Sequence, residues 1–384
     1  MYDLIIAGSG FCGSTIAHLA ATTRNKKVLV MEKRGHIAGN MYDEVDPAGI
    51  RIHRYGPHTI HTNNDIVYTF LENLAKWQEY ILKCRAVIDG ISTPTPFNFE
   101  TIDTFYSPDK AKRLKKRLLE EFDGAPSATI VKLAQSKDAL IKEYADFLFE
   151  KDYRPYTSKQ WGIPPEMIDV NVLSRVPVNL SYDDRYFTDT HQMMPVKGYT
   201  ALFETMLSHP NIDLQLHCDA KERVSLREGR LYFDGAALAV PFVYTGAIDD
   251  LFDNVYGKLP YRSLVFDFQT HNVASYQDAA VVAHPQAKDF TRITEYTKLP
   301  EQNVGNVTTI AVEYSKDVME SDDLQPYYPV PTEASAEQYS RYKQLAGQYD
   351  NLYLCGRLAD YKYYNMDKAI ERAFAVFESM ADIL

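Results

Sequence analysis

The sequence predicts an α/β protein, and its first forty residues provide the main reason. Residues 2–7 form a short apolar run that is typical of a buried strand, and a glycine-containing turn, 8–13, follows at once. The next residues, 14–20, have the pattern of a helix, and a second apolar run, 27–31, ends in Glu32. Together these features predict a strand–turn–helix–strand unit with an acidic residue at its end.

Later parts of the chain repeat this pattern. Residues 200–208 have helical periodicity, and the apolar runs 212–216 and 240–244 have the length of strands. A final strand and glycine turn are predicted over 351–357, and 366–380 has the periodicity of a closing helix. One α/β domain is therefore predicted to be assembled from separated segments.

The glycines of the first turn indicate a dinucleotide ligand. Gly8 allows a tight turn, Gly10 lets the backbone approach a pyrophosphate, and Gly13 lets helix and strand pack closely. The helix N-terminus offers unpaired N–H groups to the phosphates, and Glu32 is placed to accept a hydrogen bond from a ribose hydroxyl. Such a turn also occurs in α/β proteins without a dinucleotide, but the strand, helix and terminal acid together favour one.

The residues after Glu32 favour FAD over a nicotinamide dinucleotide. Residues 33–40 continue past the acid with a second glycine turn, which is common in flavoproteins of the glutathione-reductase type. We therefore predict a Rossmann-like FAD-binding domain of that type. The alternative is a plain surface loop. Within these two turns, the further candidate cofactor contacts are Phe11, Lys33, Gly39 and Asn40.

Composition narrows the possible functions. The length of 384 residues predicts two or three domains. The formal net charge of −11 and the pI near 5.4 argue against a general nucleic-acid partner. We expect no membrane span and no secretory signal, because no apolar run is long enough and the chain begins directly with the strand. The four cysteines are scattered without metal-ligand spacing, so we expect reduced thiols, no metal and a cytoplasmic location.

The middle of the chain predicts a helical insert and a sheet insert. Ser107-Pro108-Asp109 has the features of a helix start, the pattern to about residue 153 is helical, and 261–314 is strand-like. The predicted domains are a discontinuous FAD-binding domain (1–76, 199–247 and 320–384), a helical domain with a mobile substrate loop (101–198), and an antiparallel-sheet domain (77–100 and 248–319).

Outside the glycine turns, several segments are dense in arginine and tyrosine. Arginine fits a phosphate with a bidentate fork, and tyrosine adds a hydroxyl donor and a ring that stacks on a base. Buried tyrosines and surface arginines would give the same composition without a ligand. The alternative is a second diphosphate ligand with an aromatic base. These segments are 156–162, 174–178, 182–187, 290–295, 313–315 and 357–367.

These residues resemble the UDP-galactopyranose mutase family over nearly the whole chain. The YTSKQWG and Tyr-x-Tyr segments are far more specific than the glycine turn. The motifs occur in the family's order: GSGFCG at 8–13, HIAGN at 36–40, YGPHTIHT at 55–62, YTSKQWG at 156–162, RVPV at 175–178, YDDRYF at 182–187, TRITE at 291–295, EYS at 313–315 and GRLADYKY at 356–363.

The resemblance implies an isomerisation without net redox change. Reduced FAD is expected to attack the anomeric carbon of UDP-galactose through its N5 atom and to expel UDP. The sugar ring then opens and recloses through a different hydroxyl, which interconverts pyranose and furanose forms. The expected partners are the nucleotide sugar and NAD(P)H or another reductant, and the expected assembly is a homodimer.

The resemblance also assigns roles to residues. Arg175 and Arg292 match the arginines that neutralise the two phosphates, and His61 matches a histidine beside the flavin ring. Tyr156 matches the residue that stacks on uracil, and Trp161 belongs to the substrate loop, expected between about 161 and 186. The other residues that match substrate contacts are Tyr186, Tyr314, Tyr363 and Asn365, and those that match cofactor contacts are His58, Thr62, Arg357 and Met366.

Several positions depart from the family pattern. Thr59 and Ile60 stand where the family usually has Ile and Phe, Asn365 replaces Asp, and Ala283 lies in a stretch that lacks the usual Asn. Ala38 stands where the family usually has glycine, and Pro155 replaces the glycine that usually precedes Tyr156. Most of these positions cluster around the sugar and base, so they put galactose in question more than the chemistry.

Three alternatives follow from these departures and from the cofactor fold. One is a related mutase that acts on a thymidine-linked 6-deoxy sugar or on UDP-N-acetylgalactosamine. Another is an FAD-dependent oxidoreductase, which would leave the arginine segments without a purpose. The third is a non-catalytic relative that binds FAD or a nucleotide sugar, because Asn365 lacks the carboxylate usual at its position.

Overall fold

The computed structural model describes residues 2–162, 176–321, 323–330 and 332–384. Its α-helices are α1 (Phe11–Arg24), α2 (Asp65–Glu72), α3 (Phe99–Phe105), α4 (Pro108–Glu121), α5 (Ile130–Ala134), α6 (Ala139–Leu148), α7 (Arg154–Trp161), α8 (Tyr199–Leu207), α9 (Ala220–Arg223), α10 (Ile248–Leu251), α11 (Glu333–Ala346) and α12 (Met366–Ser379). A π-helical turn, Phe149–Tyr153, joins α6 to α7.

The strands are β1 (Leu4–Ala7), β2 (Val28–Met31), β3 (Asp43–Val45), β4 (Arg51–His53), β5 (Ile60–Thr62), β6 (Trp77–Glu79), β7 (Cys84–Ile88), β8 (Ile91–Thr95), β9 (Ser127–Ala128), β10 (Val178–Asn179), β11 (His191–Pro195), β12 (Ile212–Gln215), β13 (Val224–Arg227), β14 (Arg230–Phe233), β15 (Ala236–Ala237), β16 (Phe242–Tyr244), β17 (Tyr261–His271), β18 (Val281–Ala283), β19 (Arg292–Glu295), β20 (Thr308–Asp317), β21 (Tyr328–Pro329) and β22 (Leu352–Leu354). Among the described residues, no helix has both the length and the apolar composition needed to cross a lipid bilayer.

A parallel sheet brings the separated segments together and confirms the α/β prediction. Its strand order is β12-β2-β1-β16-β22, and all four neighbouring pairs are parallel. In the register of the central strands, Ile5 lies between Leu29 and Phe242. Strand β22 belongs to the C-terminal part of the sequence. The carboxyl end of β1 therefore lies beside the carboxyl end of β16, which is where ligands of such sheets bind.

The strand β1 is buried on both faces, which explains its continuous apolar run. Leu4 and Ile6 face a core that contains residues of α1 and α12, whereas Ile5 and Ala7 face a core that contains residues of α11 and of the β13–β14 hairpin. Each fully buried leucine or isoleucine contributes roughly 1.5–3 kcal/mol to folding. The helix predicted to close the chain is confirmed as α12, which packs on α1.

A second, mixed sheet has the order β21-β17-β20-β19-β18-β7-β8. Its pairs are antiparallel except for β18 and β7, which run parallel, whereas the sequence predicted antiparallel strands throughout. Tight hairpins force antiparallel pairing, but the helical part and strands β9 to β17 lie between β7 and β18 in the chain, so no turn constrains that pair. Tyr328–Pro329 falls within the predicted third segment of the FAD-binding domain, yet pairs with β17 in this sheet.

The helical part packs around its own core. Helices α3 to α6 bury Ile102, Leu114, Ile141 and Leu148 in one cluster, which also includes Phe97. The helical pattern predicted to residue 153 is interrupted by β9 and by short loops, because Gly124 and Pro126 end the regular spacing. Strand β11 falls within the predicted range 101–198 but pairs with β5 and β6. Of the substrate-loop prediction, residues 163–175 lie outside the described residues.

Candidate functional site

The first turn leaves the N-terminus of α1 open toward a cavity. Gly10 is the N-cap of α1 and has no side chain, and the first helical turn contains no acidic residue. The first N–H groups of a helix have no intrahelical acceptor and carry partial positive charge. The end of α1 is therefore suited to bind an anionic group such as a pyrophosphate.

The three glycines of this turn have different structural reasons. A Cβ atom built on Gly13 would lie 2.0 Å from the Gly8 carbonyl oxygen, and one on Gly8 would lie 2.1 Å from the Thr245 hydroxyl. A Cβ atom on Gly10 would meet no protein atom closer than the Gly39 Cα atom at 3.9 Å. Gly8 and Gly13 are thus required by the packing of the protein itself. Gly10 instead keeps open a space that a ligand would fill.

Glu32 braces the turn from the end of β2. It is buried, and its Oε2 atom accepts hydrogen bonds from the Ser9 backbone N–H at 2.9 Å and from the Ser9 hydroxyl at 2.8 Å. Its Oε1 atom accepts a bond from the Arg34 N–H at 2.9 Å. The sequence predicted a ribose contact for Glu32 and no contact between Glu32 and Ser9. The Ser9 hydroxyl meets Glu32 only because the fold places the end of β2 beside the turn that contains Ser9.

The cavity beside this turn has a volume of about 460 Å³. The sequence-predicted residues that line it come from both glycine turns, from the loop after β4 and from the region before α12. Thr245 and Gly246, at the end of β16, and Tyr328 line it as well. The predicted residues on its wall are Gly8, Gly10, Phe11, Gly13, Glu32, Lys33, Gly39, Asn40, His58, Arg357, Asn365 and Met366.

His58 provides an independent reason to expect a ligand here. Its Nδ1 atom is buried and has no hydrogen-bond partner among the described residues. Burial lowers the pKa of His58 well below its usual value, and the nearby His53, Arg357 and Arg292 lower it further. The imidazole is therefore neutral at physiological pH. A buried polar atom of this kind usually has a partner, so its position on the cavity wall fits a polar ligand.

Two other predicted cofactor residues lie elsewhere. Thr62 is buried, and its hydroxyl donates to Asp367 at 3.2 Å and accepts from the Asn64 N–H at 3.0 Å. The His61 Nδ1 atom lies 2.9 Å from a carboxylate oxygen of Asp189, and its ring stacks on Phe187 with centroids 3.5 Å apart. Neither residue is on the wall of the 460 Å³ cavity.

Arg292 forms the core of a second cluster. The register of β19 and β20 places it opposite Glu313, and its Nε and Nη2 atoms lie 2.8 and 2.7 Å from one oxygen of that carboxylate. Glu313 is only 1% exposed. Burial opposes the charge on Arg292, but Glu313 outweighs it and keeps the pKa of Arg292 well above its usual value. A fixed positive charge results, with a quarter of the side chain still exposed.

Aromatic residues and a second arginine contact one another within electrostatic range of this cation. The guanidinium of Arg357 lies over the ring of Tyr363 at 4.7 Å and over that of Tyr328 at 5.3 Å. The ring of Trp161 lies 6.4 Å from the ring of Tyr328. Burial raises the pKa of Tyr328 to about 12, and its neighbours Arg292 and Arg357 oppose this rise. Tyr328 thus contacts Arg357 and lies within electrostatic range of Arg292, although no sequence motif predicted a role for it.

The remaining predicted substrate residues differ in their placement. Burial raises the pKa of Tyr156, and Arg292 opposes the rise, so these two side chains lie within electrostatic range of each other. Tyr186 also contributes to that shift, and its ring packs on Phe187 at 4.8 Å. Tyr314 follows Glu313 on β20, so its side chain lies on the opposite face of the sheet from Arg292, where its ring is 6.4 Å from that of Phe290. The structure therefore does not bring this predicted substrate residue to the Arg292 cluster. Arg175 lies outside the described residues.

Asp152, just before α7, should make stability depend on pH. Burial raises the pKa of its carboxyl to about 7, with Lys159 opposing the shift. An unfolded aspartate ionises near pH 4, so the unfolded chain releases this proton first and the free energy of unfolding falls between about pH 4 and 7. We expect Asp152→Asn to remove this fall, as measured by urea unfolding across that range. Asp382→Asn, at an exposed position, is the control; equal pH profiles for wild type and Asp152→Asn would contradict the prediction.

The fold and the cavity define a dinucleotide-binding α/β protein with an arginine–tyrosine cluster beside the dinucleotide cavity. A model of the NAD(P)-binding Rossmann-like domain matches residues 6–74, and a model of UDP-galactopyranose mutase matches residues 151–363. The chain belongs to the UDP-galactopyranose mutase family, which confirms the resemblance found in the sequence. It is therefore an isomerase by family.

Named relatives support this assignment over the whole chain. The chain is 34% identical to the UDP-galactopyranose mutase of Mycoplasma pneumoniae, with 99% of this chain and 96% of the relative covered. It is 33% identical to the dTDP-fucopyranose mutase of Escherichia coli, with 97% of each chain covered. A crystal structure of reduced UDP-galactopyranose mutase aligns over 100% of this chain and 94% of that chain, with a TM-score of 0.73 and 15% identity. This last likeness shows the fold.

Proposed function

We propose that this chain binds FAD in the 460 Å³ cavity and interconverts UDP-galactopyranose and UDP-galactofuranose at the adjoining cluster. One observation carries the proposal. Arg357, Tyr328 and His58 line the dinucleotide cavity. The positive charge of Arg292 acts to lower the pKa of both His58 and Tyr328, and the Arg357 guanidinium lies over the Tyr328 ring. A ligand bound at Arg292 would thus reach the cofactor.

The residues of the first turn hold the cofactor in this proposal. The N-terminus of α1 and the open space at Gly10 receive the pyrophosphate, and Glu32 accepts a hydrogen bond from the ribose. His58, whose Nδ1 atom has no hydrogen-bond partner in the described part of the chain, lines the same cavity as Arg357, Asn365 and Met366. Reduced FAD, when bound, supplies a nucleophile for the anomeric carbon of the sugar.

The chain's own cations stabilise the leaving group. The bond to the anomeric carbon breaks toward a diphosphate, so negative charge develops on its oxygens. Arg292 is held in a fixed orientation by Glu313, and it would meet that charge without reorganisation. Tyr156 would stack on the base beside it, and Arg175 would bind the second phosphate. Trp161, Tyr186, Tyr363 and Asn365 complete the proposed substrate contacts.

A related substrate is the second candidate, and one observation favours it. The dTDP-fucopyranose mutase of Escherichia coli is almost as similar to this chain as the UDP-galactopyranose mutase of Mycoplasma pneumoniae. A thymidine-linked 6-deoxy sugar differs from UDP-galactose at the base and at the sugar. Thr59, Ile60, Ala283 and Asn365 are the departures from the family pattern that would accommodate these differences.

The test uses the purified protein with its flavin reduced by dithionite. We expect UDP-galactofuranose to be converted to UDP-galactopyranose, and the reverse, with products separated by chromatography and no turnover with oxidised flavin. Conversion of dTDP-fucofuranose at a higher kcat/KM would establish the second candidate. Stoichiometric consumption of an electron acceptor would establish an oxidoreductase instead, and binding without conversion of either substrate would indicate a non-catalytic relative.

A homodimer, and NAD(P)H or another reductant as the source of electrons, are proposed from the family resemblance. A cytoplasmic location is proposed from the cysteine pattern. The free cysteines, of which Cys12, Cys84 and Cys355 are buried, accord with a reducing compartment.

A further inference from the structure

Helix α7 carries two of the proposed substrate residues, and its C-terminal end packs against the mixed sheet, with Trp161 buried and Gly162 exposed. Tyr156 and Trp161 lie on this helix, and Gly162 ends it in the left-handed conformation with φ of 67°. The last carbonyl groups of a helix have no intrahelical donor and carry partial negative charge. Because α7 is short, these groups lie within two turns of Tyr156. What satisfies them therefore determines where both aromatic side chains lie.

Arg262 satisfies the end of α7 from strand β17. Its Nε atom donates to the Gln160 carbonyl at 3.1 Å, and its Nη2 atom lies 3.5 Å from the Lys159 carbonyl. Ser315, on the neighbouring strand β20, donates to the same Gln160 carbonyl at 2.7 Å and accepts from Arg262 Nε and Nη2 at 3.2 and 3.0 Å. The two side chains form one clamp on the final turn of the helix.

The guanidinium also packs against the backbone that follows. A Cβ atom built on Gly162 would lie 2.4 Å from Arg262 Nη1 and 2.9 Å from its Cζ atom. Only glycine permits both this close approach and the positive φ of this residue without strain. The helix end and the arginine therefore fit each other, and a change in either would move the other.

The electrostatics of Arg262 are unusual for a buried cation. The residue is 7% exposed, and among the described residues no carboxylate lies within ion-pair distance of it. Burial lowers its pKa, and the more distant Asp317 and Glu320 oppose that shift. Burying a charge is costly unless polar partners compensate for it, and here the compensating partners are the carbonyls of α7. A buried arginine at position 262 is thus better explained by a role in orienting α7 than by packing alone.

A second contact fixes the same helix to the same sheet. The Lys159 ammonium donates to the carbonyls of His284, Pro285 and Ala287 at 2.8, 3.1 and 2.6 Å, in the loop between β18 and β19. Arg262 itself lies next to β21: its carbonyl accepts the Tyr327 N–H at 2.9 Å, and it pairs with Tyr328. The clamp therefore joins α7 to β17 and β20, the neighbours in the sheet of the strands that carry Tyr328 and Arg292.

We propose that Arg262 is a positioning residue for the nucleotide end of the substrate: with Ser315, it holds Tyr156 and Trp161 in register with Arg292 and Tyr328. Arg262 touches neither cofactor nor substrate and acts through α7. The inference rests on the proposed function for the identity of the ligand, which is a nucleoside diphosphate. It adds a residue to which the sequence motifs assign no role.

The test compares Arg262→Met and Ser315→Ala with a matched control, Arg85→Met. Arg85 is another arginine of the mixed sheet with several hydrogen bonds. It is half-buried, and it contacts Ser92, Glu100 and Asp278, away from α7. All variants are made in a Trp77→Phe background, so that Trp161 is the only tryptophan. Flavin content, UDP affinity by titration, Trp161 emission and mutase kinetics are measured on each full-length holoprotein.

We expect Arg262→Met to keep its flavin, to weaken UDP binding at least tenfold and to shift Trp161 emission to the red. In the kinetics, KM for the nucleotide sugar should rise more than kcat falls. Ser315→Ala should show a smaller effect in the same direction, Arg262→Lys should recover part of the affinity, and Arg85→Met should bind UDP as the background protein does.

The outcomes separate the two proposals. If the background protein binds neither UDP nor dTDP, both the proposed function and this inference fall. If it binds UDP and Arg262→Met binds it equally well, or if Arg85→Met weakens binding as much, only the positioning role is overturned. If Arg262→Met does not fold, Ser315→Ala decides, because unchanged affinity and unchanged Trp161 emission in that variant would reject the clamp.

Discussion

Gly10→Ala is expected to fold as stably as the wild-type apoprotein and yet to lose its dinucleotide. The added Cβ atom would meet no protein atom closer than 3.9 Å, so the apoprotein has room for it. The methyl group would occupy the space into which the pyrophosphate must come to reach the N-terminus of α1. We expect at least a hundredfold loss of FAD affinity, measured by flavin titration of the apoprotein, with the melting temperature of the apoprotein unchanged.

Gly13→Ala is expected to fail for a different reason. Its Cβ atom would lie 2.0 Å from the Gly8 carbonyl oxygen, which is backbone and has no room to move away. The strand and helix would have to separate, at a cost of several kcal/mol, in the upper range for single substitutions. Urea unfolding should therefore show a strongly destabilised protein even without flavin.

Gly347→Ala is the matched control for both substitutions. Its nearest contact would be 3.5 Å away and its φ is −65°, so alanine should be tolerated there with full flavin binding. Normal flavin affinity in Gly10→Ala would mean that the cofactor does not lie across this turn. Wild-type stability in Gly13→Ala would mean that β1 and α1 pack less closely than the structure has them.

Arg292→Lys is expected to bind flavin normally and to lose mutase activity by a factor of about 10²–10³, the range typical of losing a donor that stabilises transition-state charge. Lysine retains a positive charge for Glu313 but offers no fork of parallel N–H donors. The loss should appear mainly in kcat if the arginine acts on the departing diphosphate. Single-turnover measurements with pre-reduced flavin would separate this chemical step from binding.

Two further variants test the same role of Arg292. Arg292→Ala should abolish turnover. Because it leaves the Glu313 carboxylate buried with Thr291 as its only side-chain donor among the described residues, it should also lower stability by about 3–5 kcal/mol. Arg292→Met combined with Glu313→Gln removes both charges and should regain much of that stability without regaining activity. Loss of flavin from Arg292→Lys, or activity within threefold of wild type, would count against the role of Arg292.

The sequence predicted the fold where local periodicity and turn chemistry agree. The apolar runs of β1 and β2, the glycines between β1 and α1, and the spacing of α12 each depend on neighbours within a few residues. The differences arise where pairing is remote. The parallel contact of β18 with β7 and the pairing of Tyr328–Pro329 with β17 join segments far apart in sequence, and nothing in either segment alone specifies its partner.

The candidate site divides in the same way. The glycine turns and the family motifs predicted most of the residues named above on the cavity wall. Ser9, Tyr328 and Arg262 were missed because each carries an ordinary local pattern. Ser9 acquires its contact from Glu32 across the turn, and Arg262 acquires its contacts from α7, more than a hundred residues earlier.

By itself, the sequence determined the α/β class, the dinucleotide turn and the family, because strand and helix periods and glycine positions are properties of consecutive residues. Only the tertiary structure decided which charges face each other. It placed Glu313 against Arg292 through the register of β19 and β20, and it left His61 paired with Asp189 rather than on the cavity wall. These contacts follow from the packing of distant strands and helices, whose geometry is fixed by the burial of whole faces and not by any short motif.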